Sequence, residues 1–417
     1  MHRSSPRILF LTDHCAGATA GYGLRVTNTV RDLRRIGPVT VVFLVREVDD
    51  NQWPAEFTPR PDDPDFRLIT MAATEELSRV GYLTTTMTGR PRDAVYRNRG
   101  QLAKQLRPLI PDHDLIWSFR ARPFDVIAAA AENGQVIPPV VVDFDDLYDE
   151  FHWQRFKSPG LGLARAGALL LSRQWRKHQR RVAEAVSTVL VTHEEDRRRL
   201  NELGHTNVDV LPNGYPHCRP AQRASDRCTM ILVGGHHYAP NAEAAKILAY
   251  EVLPMVCSVI PDAELVLVGR PGPQTEQISR RPGVRYVGFA EDLDVVFDQA
   301  TVVCTPIRTG SGSRLKVLEA LARRIPLVST EFGSHGFDLV EDRHYLRADD
   351  AETMAEAVVA LHRDQALTNR LIDAAHRHFV RRFDDQAIEA RTAEIAANTL
   401  GAVGTGQRPG GSAMFIN

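Results

Sequence analysis

The chain has 417 residues, more than the about 250 to 300 that a single hydrophobic core supports, so its length favours two domains. Its 51 Lys and Arg residues against 52 Asp and Glu residues leave a formal charge of -1, which gives no global electrostatic reason to expect a nucleic-acid partner. The cysteines are scattered and form no C-x-x-C pair, which argues against a disulfide framework and a zinc site. They are Cys15, Cys218, Cys228, Cys257 and Cys304.

The first apolar run, residues 8–11, is too short for a signal peptide or a membrane span and is soon followed by Asp13 and His14. No later apolar segment is long enough to span a membrane. We therefore expect a cytoplasmic protein that is soluble or lies on a membrane surface.

Short runs rich in Val, Ile and Leu alternate with helical stretches along the first half, a pattern typical of parallel strands buried on both faces. The predicted strands are 7–12, 39–45, 114–119, 140–144, 188–192 and 208–211. An α/β, doubly wound, Rossmann-like domain is therefore expected over residues 1–213.

The polar, proline-containing stretch that follows Pro212-Asn213-Gly214 predicts an interdomain linker over residues 214–228. Strand signals then restart, at 229–234, 264–268, 284–287, 302–306 and 326–329. They predict a second doubly wound domain over 229–380, in which 350–380 is helical. A helix over 381–400 and a flexible Gly-rich tail over 401–417 complete the predicted organisation.

Residues 309–313 are small and lead from a predicted strand directly into a helix. Such a junction exposes backbone N–H groups at the positive end of the helix dipole. Arg314 and Lys316 add two cations in the first turn, and Glu319 shares a helix face with Lys316. This combination suits a diphosphate, and a solvated helix start with ordinary surface charges is the alternative.

Residues 230–361 resemble the family 4, or group 1, glycosyltransferases through a series of short motifs in the family's order and spacing. The motifs are ILVGG at 231–235, PNA at 240–242, EVLP at 251–254, PDAEL at 261–265, VG at 268–269, GF at 288–289, GSRLKVLEA at 312–320 and IPLVST at 325–330. The resemblance implies the GT-B architecture, in which two Rossmann-like domains face a cleft. The C-terminal domain then holds a nucleotide-diphosphate sugar, and the last helix crosses back to the N-terminal domain.

By this resemblance Arg314 and Lys316 contact the diphosphate, and Glu319 accepts hydrogen bonds from the ribose. The other implied donor-binding positions are Gly235, His236, Gly269, Gly288, Phe289, Ser311, Gly312, Ser313 and Leu315. The sequence departs from the family at Ser311, where many members carry the first of two glutamates that are eight residues apart. It also departs at His236 and His237, which stand in place of a frequent Gly-Arg. The nucleotide, whether UDP, GDP, ADP or dTDP, stays open.

Glycines after the first strand, at positions 17, 21 and 23, also fit the G-x-x-x-G-x-G loop of short-chain dehydrogenases. That chemistry needs a Tyr followed four residues later by Lys, and none of the nine tyrosines has one. The glycosyltransferase resemblance implies that Gly21 and Gly23 let the backbone approach the donor phosphates or the acceptor. A structural tight turn is the alternative.

Asp143 and Asp145 lie at the end of a predicted strand, the edge where ligands bind in doubly wound sheets. We expect them to act on the acceptor side of the active site. One alternative is that they cap the next helix, and another is the D-x-D metal motif of the GT-A glycosyltransferases.

A predicted helix over 162–186 alternates an apolar face with basic residues. They are Arg173, Arg176, Lys177, Arg180 and Arg181. Such a helix suits peripheral contact with an anionic membrane, and a solvated basic face is the alternative.

Taken with the resemblance, these features predict transfer of a sugar to a small-molecule, glycan or lipid-linked acceptor, with retention. We expect no required cofactor and no metal, because fixed cations accompany the helix start and residues 305–313 contain no carboxylate. The alternatives are a GT-B sugar-nucleotide epimerase and a non-catalytic sugar-nucleotide-binding protein.

Overall fold

The computed structural model describes residues 5–14, 21–45, 57, 63–74, 91, 94–132, 136–157, 162–222, 226–290, 292–310 and 314–404. The chain divides into two compact units. Unit 1 comprises Met1–Pro212 together with Glu389–Asn417, and unit 2 comprises Asn213–Ile388. The chain therefore passes from unit 1 into unit 2 and then returns to unit 1.

In the part of unit 1 that the structure describes, seven strands form one sheet in which all neighbouring pairs are parallel. They are β1 (Ile8–Thr12), β2 (Val39–Val45), β3 (Phe66–Ala72), β4 (Leu115–Phe119), β5 (Val140–Asp143), β6 (Thr188–Val191) and β7 (Val208–Val210). Their order across the sheet is β3-β2-β1-β4-β5-β6-β7. The helices before residue 213 are α1 (Gly21–Ile36), α2 (Arg99–Leu106), α3 (Ala121–Ala131), α4 (Tyr148–Lys157), α5 (Gly162–Ala185) and α6 (Glu194–Glu202).

Unit 2 repeats this plan with six strands among its described residues, and its neighbouring pairs are again parallel. They are β8 (Thr229–Val233), β9 (Glu264–Val268), β10 (Val284–Gly288), β11 (Val302–Thr305), β12 (Leu327–Ser329) and β13 (Leu346–Arg347), in the order β10-β9-β8-β11-β12-β13. The helices are α7 (Ala239–Lys246), α8 (Leu253–Val259), α9 (Thr275–Ser279), α10 (Leu293–Phe297), α11 (Leu315–Ala322), α12 (Glu331–Ser334), α13 (Ala351–Arg363) and α14 (Gln365–Arg382). A π-helical segment, Ile247–Val252, joins α7 to α8.

Continuous apolar runs produce the central strands. All five residues of β1 are buried, which requires that both faces of the sheet be covered. In the register of the sheet, Ile8 lies opposite Val39 on one side and Leu115 on the other. Each unit has a hydrophobic core of its own. The prediction of two α/β units with parallel sheets is confirmed.

Two strands and one helix break were not predicted. The edge strand β3 contains Arg67 and Thr70 among its apolar residues and is buried at only some positions, so it lacks a continuous apolar run. Strand β13 has only two residues. The predicted helix over 350–380 is interrupted at Asp364, whose side chain caps α14 by accepting a hydrogen bond from the Leu367 N–H at 2.9 Å.

The last helix, α15 (Asp385–Gly404), contacts strands and a helix of unit 1 from residue 389 onward. Arg391 pairs with Asp209 and donates from Nε to the Val210 carbonyl at 3.1 Å. Thr399 shares a hydroxyl–hydroxyl hydrogen bond of 2.9 Å with Thr188. Within the described ranges, none of the helices combines the length and the apolar character that crossing a bilayer demands.

Candidate functional site

Three loops of unit 2 meet at the carboxyl edge of its sheet, directly after β8, β9 and β10. The Gly234 N–H donates to the Val268 carbonyl at 2.9 Å, and the Gly269 N–H donates to the Gly288 carbonyl at 2.7 Å. Gly269 has a φ of +132°, and a Cβ there would collide with the Gly234 carbonyl. Glycine is therefore required where these loops pack backbone against backbone.

His236, in the loop after β8, is 3% exposed and lies beside Lys316 and Tyr286. Neither of its ring nitrogens has a hydrogen-bond partner among the described residues. Burial, together with the positive charge of Lys316, lowers the pKa of His236 to about 4. The ring is therefore neutral at physiological pH and offers one donor and one acceptor to a ligand.

Lys316, on the first turn of α11, lies half-buried at the same edge. Its Nζ donates a hydrogen bond of 2.6 Å to Oδ1 of Asn241. Burial lowers the pKa of Lys316 to about 8, Glu319 acts in the opposite direction, and Arg314 adds to the lowering. Most molecules therefore carry the ammonium charge at pH 7.

Glu319 lies one turn further along α11 and is buried. Its Oε1 accepts from the Tyr215 hydroxyl at 3.5 Å, and its Oε2 has no partner among the residues described. Burial raises the pKa of Glu319, and the charges of Arg323 and Lys316 oppose this. Arg323 Nη1 also donates to the Tyr215 hydroxyl, at 3.2 Å.

Tyr215 and Arg323 were not predicted as part of the site. Arg323 could have been found, because it follows Glu319 by four residues and so shares its helix face. Tyr215 could not, because it lies at the start of unit 2, 104 residues before Glu319 in sequence.

Arg314 is at the N-cap position of α11 and contacts a different element from Lys316. Its guanidinium lies 4.3 Å from the ring centre of Phe332, and its Nη1 donates to the His335 carbonyl at 3.4 Å. Phe332 and His335 also line an open cavity of about 430 Å³, which extends past Arg308 to Asp349. The two cations therefore flank the helix start from different sides of the site.

The remaining predicted donor-binding residues fall into three groups. Gly235 accepts a hydrogen bond on its carbonyl from Asn241 at 3.0 Å, and Leu315 is half-buried at the start of α11. Phe289 follows β10 and is 60% exposed, so its ring is available for stacking. The predicted contacts at Ser311, Gly312 and Ser313 lie outside the described residues.

In unit 1, Asp143 ends β5 and is completely buried. Arg25 donates to both of its oxygens, from Nε at 2.8 Å and from Nη2 at 2.9 Å. Asp143 Oδ1 also accepts from the Asp145 N–H at 3.0 Å. Both oxygens of this carboxylate therefore accept from internal donors, and its expected role on the acceptor side stays a prediction.

Asp145 belongs to a second network, which is centred on Arg120. Arg120 Nη2 donates to Asp145 Oδ2 at 2.8 Å, and its Nη1 lies 2.7 Å from His14 Nε2. Because a guanidinium can only donate, His14 Nε2 accepts, and the proton on Nδ1 bonds Asp13 at 2.7 Å. Burial raises the pKa of Asp13, but His14, Arg122 and Tyr96 together lower it to about 2.

The backbone at Arg120 is strained, with φ 71° and ψ 163°, a region that residues other than glycine rarely adopt.

Beyond this network, burial and the charge of Asp145 raise the pKa of Asp146 to about 7. The sequence interpretation passed over Arg120, His14 and Asp146. The signal was available, since each lies just after a parallel strand at the ligand-binding edge.

Helix α1 begins at Gly21, so the predicted glycine loop continues into its first turn. Gly23 is buried, and its carbonyl accepts from the Thr27 hydroxyl at 2.9 Å. Tyr22, between the two glycines, is 44% exposed and packs edge-on against His14. The predicted Gly17 lies outside the described residues.

The chain is similar to several known proteins. Residues 227–364 match the model of a family described as Glycosyl transferases group 1. A phosphatidyl-myo-inositol mannosyltransferase from Mycobacterium leprae is 24% identical over 347 residues, which cover 72% of this chain and 89% of that protein.

Solved structures share the fold at low identity. Sucrose-phosphate synthase from Thermosynechococcus elongatus superimposes with a TM-score of 0.68 at 18% identity, covering 95% of this chain and 100% of that one. HepE from Anabaena, solved in complex with UDP and glucose, superimposes with a TM-score of 0.63 at 12% identity, covering 94% and 99%.

We predict that Arg25→Ala destabilises unit 1 by about 3 to 5 kcal/mol, because it leaves Asp143 buried without its counter-charge. Urea unfolding followed by tryptophan fluorescence measures this, since all four tryptophans belong to unit 1. The double variant Arg25→Met, Asp143→Leu should regain most of the loss. The control is Arg180→Ala, whose exposed pair with Glu184 contributes about 0 to 1 kcal/mol. A loss in Arg25→Ala no larger than in this control would contradict the prediction.

Proposed function

Because the chain is a group 1 glycosyltransferase with the GT-B fold, we propose that it takes its sugar from a nucleotide-diphosphate sugar bound at the carboxyl edge of the unit 2 sheet. The observation that carries this proposal is a set of buried polar atoms that lack partners within the described residues. They are both ring nitrogens of His236 and Oε2 of Glu319, and the ammonium of Lys316 lies beside them. Such atoms cost free energy until a ligand supplies the missing hydrogen bonds.

Each group has a role in this proposal that its chemistry supports. Lys316, Arg314 and the N–H groups at the start of α11 stabilise the negative charge of the leaving diphosphate. The neutral His236 ring hydrogen-bonds the donor, and Glu319 accepts from the ribose hydroxyls. The loops at Gly269 and Gly288, with the exposed Phe289, flank the base.

The proposed reaction retains the anomeric configuration and uses no protein nucleophile, as the family resemblance implies. The protein then contributes by holding donor and acceptor in reacting geometry and by stabilising the leaving group. We place the acceptor at the carboxyl edge of the unit 1 sheet. Tyr22, His14 and Arg120 present an aromatic and polar surface there, which suits the hydroxyl groups of a glycan or of a lipid-linked sugar.

A screen over UDP, GDP, ADP and dTDP by thermal shift identifies the nucleotide, since a ligand at 100 times its dissociation constant adds about 2.7 kcal/mol of stability. We predict that Lys316→Ala and Arg314→Ala each weaken calorimetric affinity for that nucleotide by about 10- to 100-fold, the effect of one charge-assisted hydrogen bond. The control is Lys246→Ala, which removes an exposed lysine from α7.

Glu319→Gln should weaken binding of the nucleotide but leave binding of inorganic pyrophosphate unchanged, because pyrophosphate has no ribose. Equal losses for both ligands would contradict the ribose contact. If none of the four nucleotides binds the unmodified protein, the proposed donor site is wrong.

We further predict that activity survives excess EDTA, since fixed cations and backbone dipoles meet the charge of the leaving diphosphate. Asp145 already faces the Arg120 guanidinium, and Asp143 faces that of Arg25. Donor turnover is measured as nucleoside-diphosphate release with EDTA and with added manganese. Loss of turnover in EDTA that manganese restores would instead favour a metal-dependent reaction at these two aspartates.

Membrane contact through α5 is a further part of the proposal, and the exposed basic residues of this helix support it. Arg173 and Lys177 are exposed one turn apart, and Leu170 on the same helix is 53% exposed. On the preceding helix, Trp153 stacks on Phe156 with 5.3 Å between ring centres. Cationic and aromatic side chains of this kind suit an anionic lipid surface. The mannosyltransferase from Mycobacterium leprae is named for a phospholipid, which is consistent with a lipid-linked acceptor here.

The double variant Arg173→Glu, Lys177→Glu tests this contact. We expect sedimentation with vesicles of 30% phosphatidylglycerol in phosphatidylcholine to weaken at least tenfold, at about 1 kcal/mol for each basic residue near the surface. The control, Arg370→Glu with Arg377→Glu, makes the same change in charge on an exposed face of α14. Equal losses in the two double variants would show that the attraction does not depend on α5.

A further inference from the structure

Asn241 lies between the glycine loop after β8 and the lysine of α11. It is the third residue of α7 and is 8% exposed. Its Oδ1 accepts from Lys316 Nζ at 2.6 Å, and its Nδ2 donates to the Gly235 carbonyl at 3.0 Å. The orientation of the amide is determined, because an ammonium can only donate and a carbonyl can only accept.

The backbone beneath Asn241 makes room for this contact. Gly234 has a φ of +142°, and a Cβ at this position would lie 2.7 Å from Asn241 Nδ2. A side chain on residue 234 would therefore displace the amide from Lys316. Gly234 thus leaves space in the loop for the Asn241 amide, and the amide orients the Lys316 ammonium.

The chemical character of the partner matters as much as its position. Among the described residues, the hydrogen bond of Lys316 is made to this neutral amide. The charged groups that act on Lys316 are Glu319 and Arg314, and His236, in the loop facing it, is neutral. A neutral acceptor orients an ammonium without cancelling its charge, so the charge stays available to an incoming anion.

We propose that Asn241 is a positioning residue, which aims Lys316 at the diphosphate of the donor without itself neutralising the charge of the lysine. This inference rests on the proposed function, because it assumes that Lys316 binds the diphosphate. It adds a residue on a different helix whose identity as an amide, rather than a carboxylate, sets the strength of phosphate binding.

The test is the pH dependence of calorimetric affinity between pH 7 and 10, using whichever of UDP, GDP, ADP and dTDP binds most tightly. The terminal phosphate of these probes ionises near pH 6, which is about the second pKa of a phosphate monoester, so it stays charged throughout. In the unmodified protein, affinity should fall as the pH rises through about 8, where Lys316 loses its proton. Lys316→Ala should remove this fall.

Two substitutions of Asn241 should shift, in opposite directions, the pH at which nucleotide affinity falls. Asn241→Ala removes an acceptor from the protonated lysine, so its pKa decreases and the fall moves by about one unit to lower pH. Asn241→Asp places a carboxylate there, so the pKa increases and the fall moves to higher pH. Both variants should bind about tenfold more weakly at pH 7, the first through misplacement of the ammonium and the second through loss of its free charge.

The matched control is Asn369→Ala, which replaces an exposed asparagine of the same unit that hydrogen-bonds Gln365. It should change neither the affinity at pH 7 nor the pH at which the affinity falls. Thermal unfolding confirms that each variant is folded. If Asn241 only supports the loop through Gly235, affinity will drop by the same factor at every pH, and that result overturns the inference alone. If the unmodified protein binds none of the four probes, the proposed donor site and this inference fall together.

Discussion

Parallel strands all end at the same edge of their sheet, and this constraint determines where the chemistry of the molecule lies. The loops after β8, β9 and β10 meet because their strands are neighbours with one direction. In unit 1 the same rule brings His14, Arg120 and Asp145 together, although each follows a different strand. Side chains that are far apart in sequence therefore become neighbours without any long loop to carry them.

Two buried sites of the molecule, one in each unit, differ in whether their polar groups are paired. Asp143 and Arg25 satisfy one another with paired hydrogen bonds, so this ion pair of unit 1 is complete in the folded chain. At the carboxyl edge of the unit 2 sheet, buried atoms of His236 and Glu319 instead lack partners among the described residues. A polar group in a low-dielectric setting interacts strongly with a hydrogen-bond partner, and burying it without a partner costs free energy. The ion pair is completed by folding, whereas the unpaired atoms lie where we propose that the donor binds.

The sequence predicted the fold better than the pairings within the site. Strands 39–45 and 264–268 were predicted at their observed bounds, because buried parallel strands are nearly continuous apolar runs. Lys316 and Glu319 stood out because helical spacing places them on one face. Their partners Asn241 and Tyr215 lie 75 and 104 residues away, and no local pattern encodes such contacts. The pairing of Asp143 was not predicted for the same reason, since its partner Arg25 is 118 residues distant.

Unit 2 interrupts unit 1, because the chain completes Asn213–Ile388 before it returns. On the ribosome, the strands of unit 1 emerge first, and unit 2 follows as one continuous segment that can fold by itself. Residues 389–404, which contact Thr188 and Asp209, emerge only afterwards. The first unit to be synthesised is thus the last to be completed. Until then, the surface that will meet α15 is open to solvent, to chaperones and to other nascent chains.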